Sequence, residues 1–261
     1  MSLKSILLRI YNFGYLSKER TDENQRKIRE VEWSAIKPYI PEGACFLDVG
    51  CGAGYSMQRA MEDKKCECYG IDPMPGTHGV GRYSKINGKL DIRKGVSEAI
   101  AFPDASFDIV YSSHVLEHVN DEMKSLQEMN RVLKDGGVVI LGMPTATMAW
   151  INCLTQVLFT THQRMFNVLF GWVPFINTGK TPIINLLLPS SHSENRAKTV
   201  LYDLCHYKVN NWKKIVSRVF CIEKVLLPAI YPYPEYRQLF QMKKNRKQSS
   251  SVFFICKKKL C

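Results

Sequence analysis

Phe46-Leu-Asp-Val-Gly-Cys-Gly-Ala-Gly-Tyr-Ser56 decides how this chain is read. Residues 44–50 (ACFLDVG) form a nearly unbroken apolar run, the pattern of a strand covered on both faces of a parallel sheet. The run carries an acidic residue near its end, Asp48, and Gly50, Gly52 and Gly54 follow before a helical stretch over 54–65. Glycines at a strand-to-helix turn let a ligand press against the backbone and leave N–H groups pointing at it. The spacing is GxGxG with Tyr55 next, so the third glycine of a dinucleotide fingerprint is missing and a nicotinamide oxidoreductase fits poorly. Asp72 stands 24 residues beyond Asp48 at the end of the next apolar run, where a carboxylate accepts from both hydroxyls of a ribose.

Outward from this turn, strands are expected over 66–71, 90–96, 107–112, 137–143, 221–230 and 250–257, with helices over 19–39, 54–65 and 210–219. A further helix opens at Asn120 as N-cap, with Asp121 and Glu122 in its first turn. Met123, Leu126, Met129 and Leu133 form its stripe, and Gly136-Gly137 closes it. Trp212, Ile215, Val216 and Val219 face inward on the 210–219 helix. The crossover over 73–88 holds Gly76, Gly79, Gly81 and Gly88 and reads as short or irregular. Strands alternating with helices give an α/β fold with a doubly wound, mostly parallel seven-stranded Rossmann-like sheet. The last two strands are joined without a helix, so one of them is antiparallel.

With these residues in place, the chain resembles the class I S-adenosylmethionine-dependent methyltransferases, in their broad small-molecule group. The resemblance covers about residues 30–145 and returns weakly at 208–257. Residues 47–54 (LDVGCGAG) match that family's first motif and Gly70–Pro73 (GIDP) its second. Ala101–Val119 (AFPDASFDIVYSSHVLEHV) is similar to its third and fourth strand region, and Arg131–Leu141 (RVLKDGGVVIL) to its helix-turn-strand before the fifth strand. The resemblance implies S-adenosylmethionine as cofactor. Asp48 and the turn Gly50, Cys51, Gly52, Ala53 and Gly54 would hold its methionine end, Asp72 its ribose, and Pro73 and Met74 would flank the adenine. An aspartate after the third strand often accepts from the adenine amino group in this family. The aligned residue here is Val96, so that contact is lost or passes to Ser97 or Glu98.

Ser112, Ser113 and His114 end the fourth strand, which faces the transferred methyl in this fold. Methyl transfer from a sulfonium is an in-line displacement in which positioning supplies much of the catalysis. A base is needed only for a poor nucleophile such as a hydroxyl. His114 and His118 are the candidates, being the histidines nearest the strand end. LEHV recurs in the family whatever the substrate, so His118 reads first as a helix-start or packing residue, His114 as either, and Glu117 as structural before catalytic.

The chain then divides into an N-terminal helical segment (1–42), a cofactor-binding core (43–145), a helical lid or substrate insertion (146–207), and a C-terminal helix with the final two strands (208–261). The 261 residues carry a formal net charge of +12, but the three stretches 1–42, 43–145 and 146–261 carry net +2, −3 and +13. The surplus belongs to the C-terminal part, with Lys243, Lys244, Arg246 and Lys247 in the loop between the last two strands and Lys257-Lys-Lys259 at the end. A basic surface implies an anionic partner or a solvated charge run. The loop 241–251 has no aromatic residue for base stacking, so RNA ranks below anionic lipid or a phosphate-bearing acceptor.

In the insertion, Trp150, Ile151, Leu154, Val157, Leu158, Met165, Leu169 and Trp172 recur at helical spacing. Two readings stand: a lid packed over the cofactor, or an apolar face that receives a lipid-like, quinone-like or lipid-linked acceptor or lies in a membrane interface. Residues 190–198 (SSHSENRAK) make a polar segment suited to a glycan or phosphate. Residues 136–193 hold only two charges, Arg164 and Lys180, yet polar residues break the run before it reaches a membrane span.

Leu3, Ile6, Leu7 and Ile10 give a short amphipathic helix, packed on the domain or anchoring at an interface. Lys4 and Arg9 argue against a secretory signal. Nine cysteines at irregular spacing, without a CxxC pair, suggest neither a disulfide framework nor a zinc site, and no metal ligands are assigned. Cys66 and Cys68 are expected to face one side, toward the core, as reduced thiols of a cytoplasmic protein. The expected activity is methyl transfer to a small-molecule, lipid-like or lipid-linked acceptor, with an anionic membrane surface as a further partner. The alternatives are RNA methylation and a non-catalytic S-adenosylmethionine-binding protein.

Overall fold

In the computed structural model, which describes residues 13, 16–76, 90–170, 189, 191–193, 199–235, 242–245 and 247–259, the apolar run becomes a central strand. The helices are α1 (Lys18–Ile36, continued by a 3-10 turn, Lys37–Tyr39), α2 (Tyr55–Lys64), α3 (Glu122–Val132), α4 (Ala146–Phe170), α5 (Val200–His206) and α6 (Val209–Val216). The strands are β1 (Cys45–Val49), β2 (Glu67–Asp72), β3 (Asp91–Lys94), β4 (Phe107–Ser113), β5 (Leu133–Pro144), β6 (Phe220–Leu226) and β7 (Ser251–Lys258). Seven strands lie in the order β3-β2-β1-β4-β5-β7-β6. β1 pairs in parallel with β2 on one side and β4 on the other, setting Asp48 opposite Gly70 and Tyr111. The strand order reverses there, and in such sheets the crevice beyond the strand ends is where ligands bind. β7 inserts between β5 and β6 and runs antiparallel to both, as the missing helix between the last two strands implies.

Alternation along β1 feeds two cores. Leu47 and Val49 pack with Val110, Leu126, Met129, Trp212 and Phe254 on the face covered by α3 and α6. Phe46 packs with Trp33, Ile36, Met57, Ile109 and Phe253 on the face covered by α1 and α2, and Cys66 and Cys68 join this cluster. Among the described residues no cysteine is disulfide-bonded.

Four local expectations are corrected. The N-cap of α3 is Asp121, whose carboxylate accepts from the Lys124 N–H, not Asn120. That helix stops at Val132 instead of running to Gly136-Gly137. Leu133 pairs with Phe107 across the sheet, Ile109 pairs with Val138, and the residues between are bulged out. β6 ends at Leu226, short of 230, because Pro228 cannot continue a paired ladder.

The fourth concerns the packed-lid reading of α4, whose apolar stripe is exposed and not packed. Met148, Ala149, Asn152, Thr155 and Gln156 are buried, while Trp150, Leu154, Val157, Leu158 and Met165 are exposed. The buried polar groups are satisfied along the helix: the Gln156 amide donates to Asn152 at 3.2 Å and the Thr155 hydroxyl to the Ile151 carbonyl at 2.7 Å. Among the described residues no helix is long and apolar enough to cross a membrane. Leu3, Ile6, Leu7, Ile10, Gly79, Gly81, Gly88, Trp172, Lys180, Ser190, residues 194–198, Arg246 and Cys261 lie outside the described residues, as do the side chains of Arg164 and Leu169.

Candidate functional site

The glycine turn is locked to the end of β2. The Gly50 and Cys51 N–H groups both donate to the Ile71 carbonyl, at 2.8 and 3.1 Å, and the Gly54 N–H donates to Cys51 O at 2.8 Å, curling the chain into α2. Gly50 has φ +79, and the Val115 side chain occupies the place a Cβ would take. Gly54 has φ +81 with Leu90 Cδ1 2.8 Å from its absent Cβ. Each therefore needs glycine for its backbone angle and for space.

Asp72 is buried, with Oδ2 accepting from the Gly52 N–H at 2.9 Å and Oδ1 from the Met74 N–H at 2.8 Å. Each oxygen keeps lone-pair capacity for a further donor such as a ribose hydroxyl. Burial pushes the Asp48 carboxyl up to about 8, against the pull of Arg29 and with Asp72 adding to the rise. Burial also drives the Cys51 thiol far up, so it is an inert side chain.

These groups form one wall of a cavity of about 670 Å³ that Asp48, Gly50, Cys51, Gly52, Ala53, Asp72, Pro73 and Met74 line. Gly54, Ser97, Glu98 and Ser112 do not line it. The Ser112 hydroxyl donates to the Val49 carbonyl at 3.0 Å, tying β4 to β1. The Ser97 hydroxyl meets that of Ser125 at 2.8 Å, and Glu98 accepts from the Asn120 N–H at 3.1 Å, so this pair steadies the approach to α3. Val96, 46% exposed, and Met74, 53% exposed, leave two apolar side chains at the mouth ends of β3 and β2.

The rest of the lining is made of side chains from distant parts of the chain. His114 and His118 line it, together with Arg29, His192, Tyr231 and Tyr233. His114 holds φ +56, a left-handed backbone unusual for a non-glycine residue, fixed by its N–H donating to the Gly142 carbonyl at 2.8 Å. Its Nε2 lies 3.4 Å from Glu32 Oε1. Glu32 is 1% exposed and accepts from the Tyr231 hydroxyl at 2.7 Å and from Arg29 at 2.8 Å. Burial would lift the Glu32 carboxyl, but Arg29, His114 and Tyr231 outweigh it and hold it far below the usual range. Burial likewise works to depress His114, and the Glu117 and Glu32 carboxylates overcome it and leave the imidazole above its ordinary value. Burial pushes His192 down to about 4, so this imidazole is neutral, and its Nδ1 lies 2.9 Å from the Tyr233 hydroxyl.

Sequence reasoning missed Arg29, Glu32, Tyr231 and Tyr233, and it placed His192 only in a polar segment. One signal was available: Ile28, Glu32 and Ile36 share a face of α1 at four-residue spacing, so a carboxylate interrupts an apolar stripe. A charge on such a stripe is buried and needs partners.

Residues 47–141 match a family model described as "Methyltransferase domain". An uncharacterized methyltransferase of Mycobacterium sp. (strain KMS) is 34% identical over 109 residues, 42% of this chain and 42% of that protein. The 2-methyl-6-phytyl-1,4-hydroquinone methyltransferase of Synechocystis sp. is 32% identical over 114 residues, 42% of this chain and 35% of that protein. The match thus spans less than half the length of these relatives. Among solved structures, an S-adenosylmethionine-dependent methyltransferase from Mesorhizobium loti superposes with a TM-score of 0.53 at 18% identity, over 87% of this chain and 97% of that one, a likeness of fold.

Proposed function

We propose that this chain, whose residues 47–141 match the methyltransferase-domain model, is a class I S-adenosylmethionine-dependent methyltransferase that transfers the cofactor's methyl group to a small apolar or lipid-linked acceptor. The observation that carries the reading is the pairing of two unlike walls in one cavity. The glycine turn and Asp72 suit a constant, polar cofactor, and a cluster of imidazoles and tyrosines lines the same cavity. Asp72 would accept the ribose hydroxyls, the Gly50–Gly54 turn would hold the methionine end, and Pro73 and Met74 would flank the adenine.

Asp48, once ionised, would sit near the cofactor's positive charge. The acceptor approaches from the His114 wall, its nucleophilic atom attacks the methyl in line, and the S–CH3 electron pair leaves with sulfur to give S-adenosylhomocysteine. His114 is held against Glu32 through Nε2 and His192 is paired with the Tyr233 hydroxyl through Nδ1, which leaves His118 to take a proton from a hydroxyl acceptor. The test is incubation of the chain with methyl-labelled cofactor and a cell extract split into lipid, RNA and polar fractions. Label in the lipid or polar fraction is expected; label in RNA alone overturns the acceptor class, and no label anywhere overturns the activity.

The exposed stripe of α4 favours the lipid-linked form of this reading and a role at a membrane surface. Trp150, Leu154, Leu158 and Met165 stand 63%, 50%, 53% and 52% exposed, on a chain whose C-terminal part is strongly basic. Anionic vesicles should sediment the protein in low salt, and Trp150→Ser with Leu154→Ser should weaken that sedimentation. Equal pelleting of the double variant removes α4 from the contact.

A further inference from the structure

The segment after β4 buries a carboxylate. Glu117 is 0% exposed, and among the described residues neither of its oxygens has a hydrogen-bond partner. An ionised carboxylate taken out of water without donors is costly, so a positive charge beside it, a protonated His114 or a bound cation, must offset it. Three imidazoles surround Glu117 Oε1: His114 Nδ1 at 3.4 Å, His192 Nε2 at 3.9 Å and His118 Nε2 at 4.0 Å. The His192 Nε2 is itself buried and without a hydrogen-bond partner. These separations are long for hydrogen bonds but close to the roughly 3–4 Å between ligand atoms that each lie about 2.0–2.2 Å from one ion.

The outer nitrogens of two of these rings are already engaged. His192 Nδ1 meets the Tyr233 hydroxyl at 2.9 Å, and His114 Nε2 faces Glu32, which Arg29 and Tyr231 hold in place. In the tautomers that protonate His192 Nδ1 and His114 Nε2, such partners hold the rings and turn the remaining lone pairs, His114 Nδ1 and His192 Nε2, toward Glu117. The loop carrying His192 is anchored as firmly. Ser193 donates to the Glu117 carbonyl at 2.9 Å, and Asp203 accepts from the Ser191 hydroxyl at 2.6 Å and the His192 N–H at 2.7 Å.

We propose that His114, Glu117 and His192, whose ligand atoms all lie within 4.8 Å of one another, bind a divalent first-row transition-metal ion of the zinc or iron(II) type. Two imidazoles and one carboxylate leave coordination positions open, and His114 and His192 line the cavity, so the open positions face the acceptor side. There the ion would hold an acceptor oxygen and make its hydroxyl more acidic. The hydroxyl proton would pass to His118 or water, the O–CH3 bond would form, and the S–CH3 pair would leave with the cofactor sulfur. This role rests on the methyltransferase reading; the binding of the ion does not.

The test uses the full chain stripped with a chelator and titrated calorimetrically with Zn²⁺, without cofactor. One site of micromolar or tighter affinity is expected. Glu117→Gln and His192→Ala should each weaken it at least tenfold, and Tyr233→Phe should weaken it while circular dichroism stays unchanged. Tyr233→Phe removes only a hydroxyl, so it keeps the test valid should the first two variants unfold. Absence of saturable binding, or binding that these variants leave untouched because thiols elsewhere take the ion, overturns the site. S-adenosylmethionine titrated separately into the same protein tells a failed metal site from a failed methyltransferase reading, since each ligand is measured alone.

Discussion

The two walls of the cavity treat a buried carboxylate in opposite ways. On the cofactor wall, both oxygens of Asp72 accept backbone N–H groups, from Gly52 and Met74. Around the imidazoles, Glu117 is more deeply buried, and among the described residues its oxygens accept no hydrogen bond, the nearest group being His114 Nδ1 at 3.4 Å. The first wall is satisfied by its own backbone and offers a finished surface to a ligand of fixed shape. The second leaves charge to be completed by what enters, which suits a surface that differs from one acceptor to another. Glu32 stands between the extremes, since its oxygens are met by side chains, Arg29 and Tyr231.

The sharpest way to break this contrast is Asp72→Ala. If Asp72 accepts both ribose hydroxyls as proposed, the variant loses two charge-assisted hydrogen bonds, about 3–6 kcal/mol in all, and S-adenosylmethionine affinity should fall at least about 100-fold by calorimetry. An undiminished affinity would move the cofactor off this wall. Next is a matched pair on the acceptor side. Glu32→Gln leaves Arg29 without its buried partner and should cost about 3 kcal/mol, lowering the melting midpoint by about 6–12 °C. Glu117→Gln, in chelator-treated protein, should cost clearly less, because no hydrogen bond is lost. Equal losses would show that the imidazoles already satisfy Glu117 fully.

The smallest effect is a pH dependence of cofactor affinity. Asp48 is held up to about 8, and a cationic cofactor favours its ionised form. Affinity should therefore climb by at most about tenfold per unit as pH rises toward 8 and level off above it, with Asp48→Asn flattening the slope. A slope of opposite sign would exclude Asp48 as the titrating group.

The cofactor wall was legible because it is written in one stretch of chain. The residues that make the turn and the carboxylate that braces it lie within 50–72, and glycine spacing reports backbone angles directly. The acceptor wall gathers α1, the end of β4, residues 191–193 and residues 231–233. No local pattern joins these, and only the misplaced charge in the Ile28–Glu32–Ile36 stripe hinted at it. The facing of α4 misled for a related reason. Apolar spacing names a stripe but not which side is inward, and here Asn152 and Gln156 satisfy each other well enough to be buried. The end of α3 was misread because Gly136-Gly137 looks like a helix stop, whereas Leu133 had already joined β5 through its pairing with Phe107.

The place of β7 sets a timetable for synthesis. The chain emerges amino end first, and by residue 144 every strand of the cofactor half has been made. Yet the outer edge of β5 must wait for residues 251–256, its antiparallel partner, and until then it is an open ladder that invites mispairing. Ser250, just ahead of that strand, donates its hydroxyl to the Tyr231 carbonyl at 2.7 Å and accepts from the Tyr231 N–H at 2.9 Å. The nascent protein is thus expected to acquire its cofactor pocket early and its acceptor wall last, and lesions in the final strand should yield chains that hold cofactor but recognise nothing to methylate.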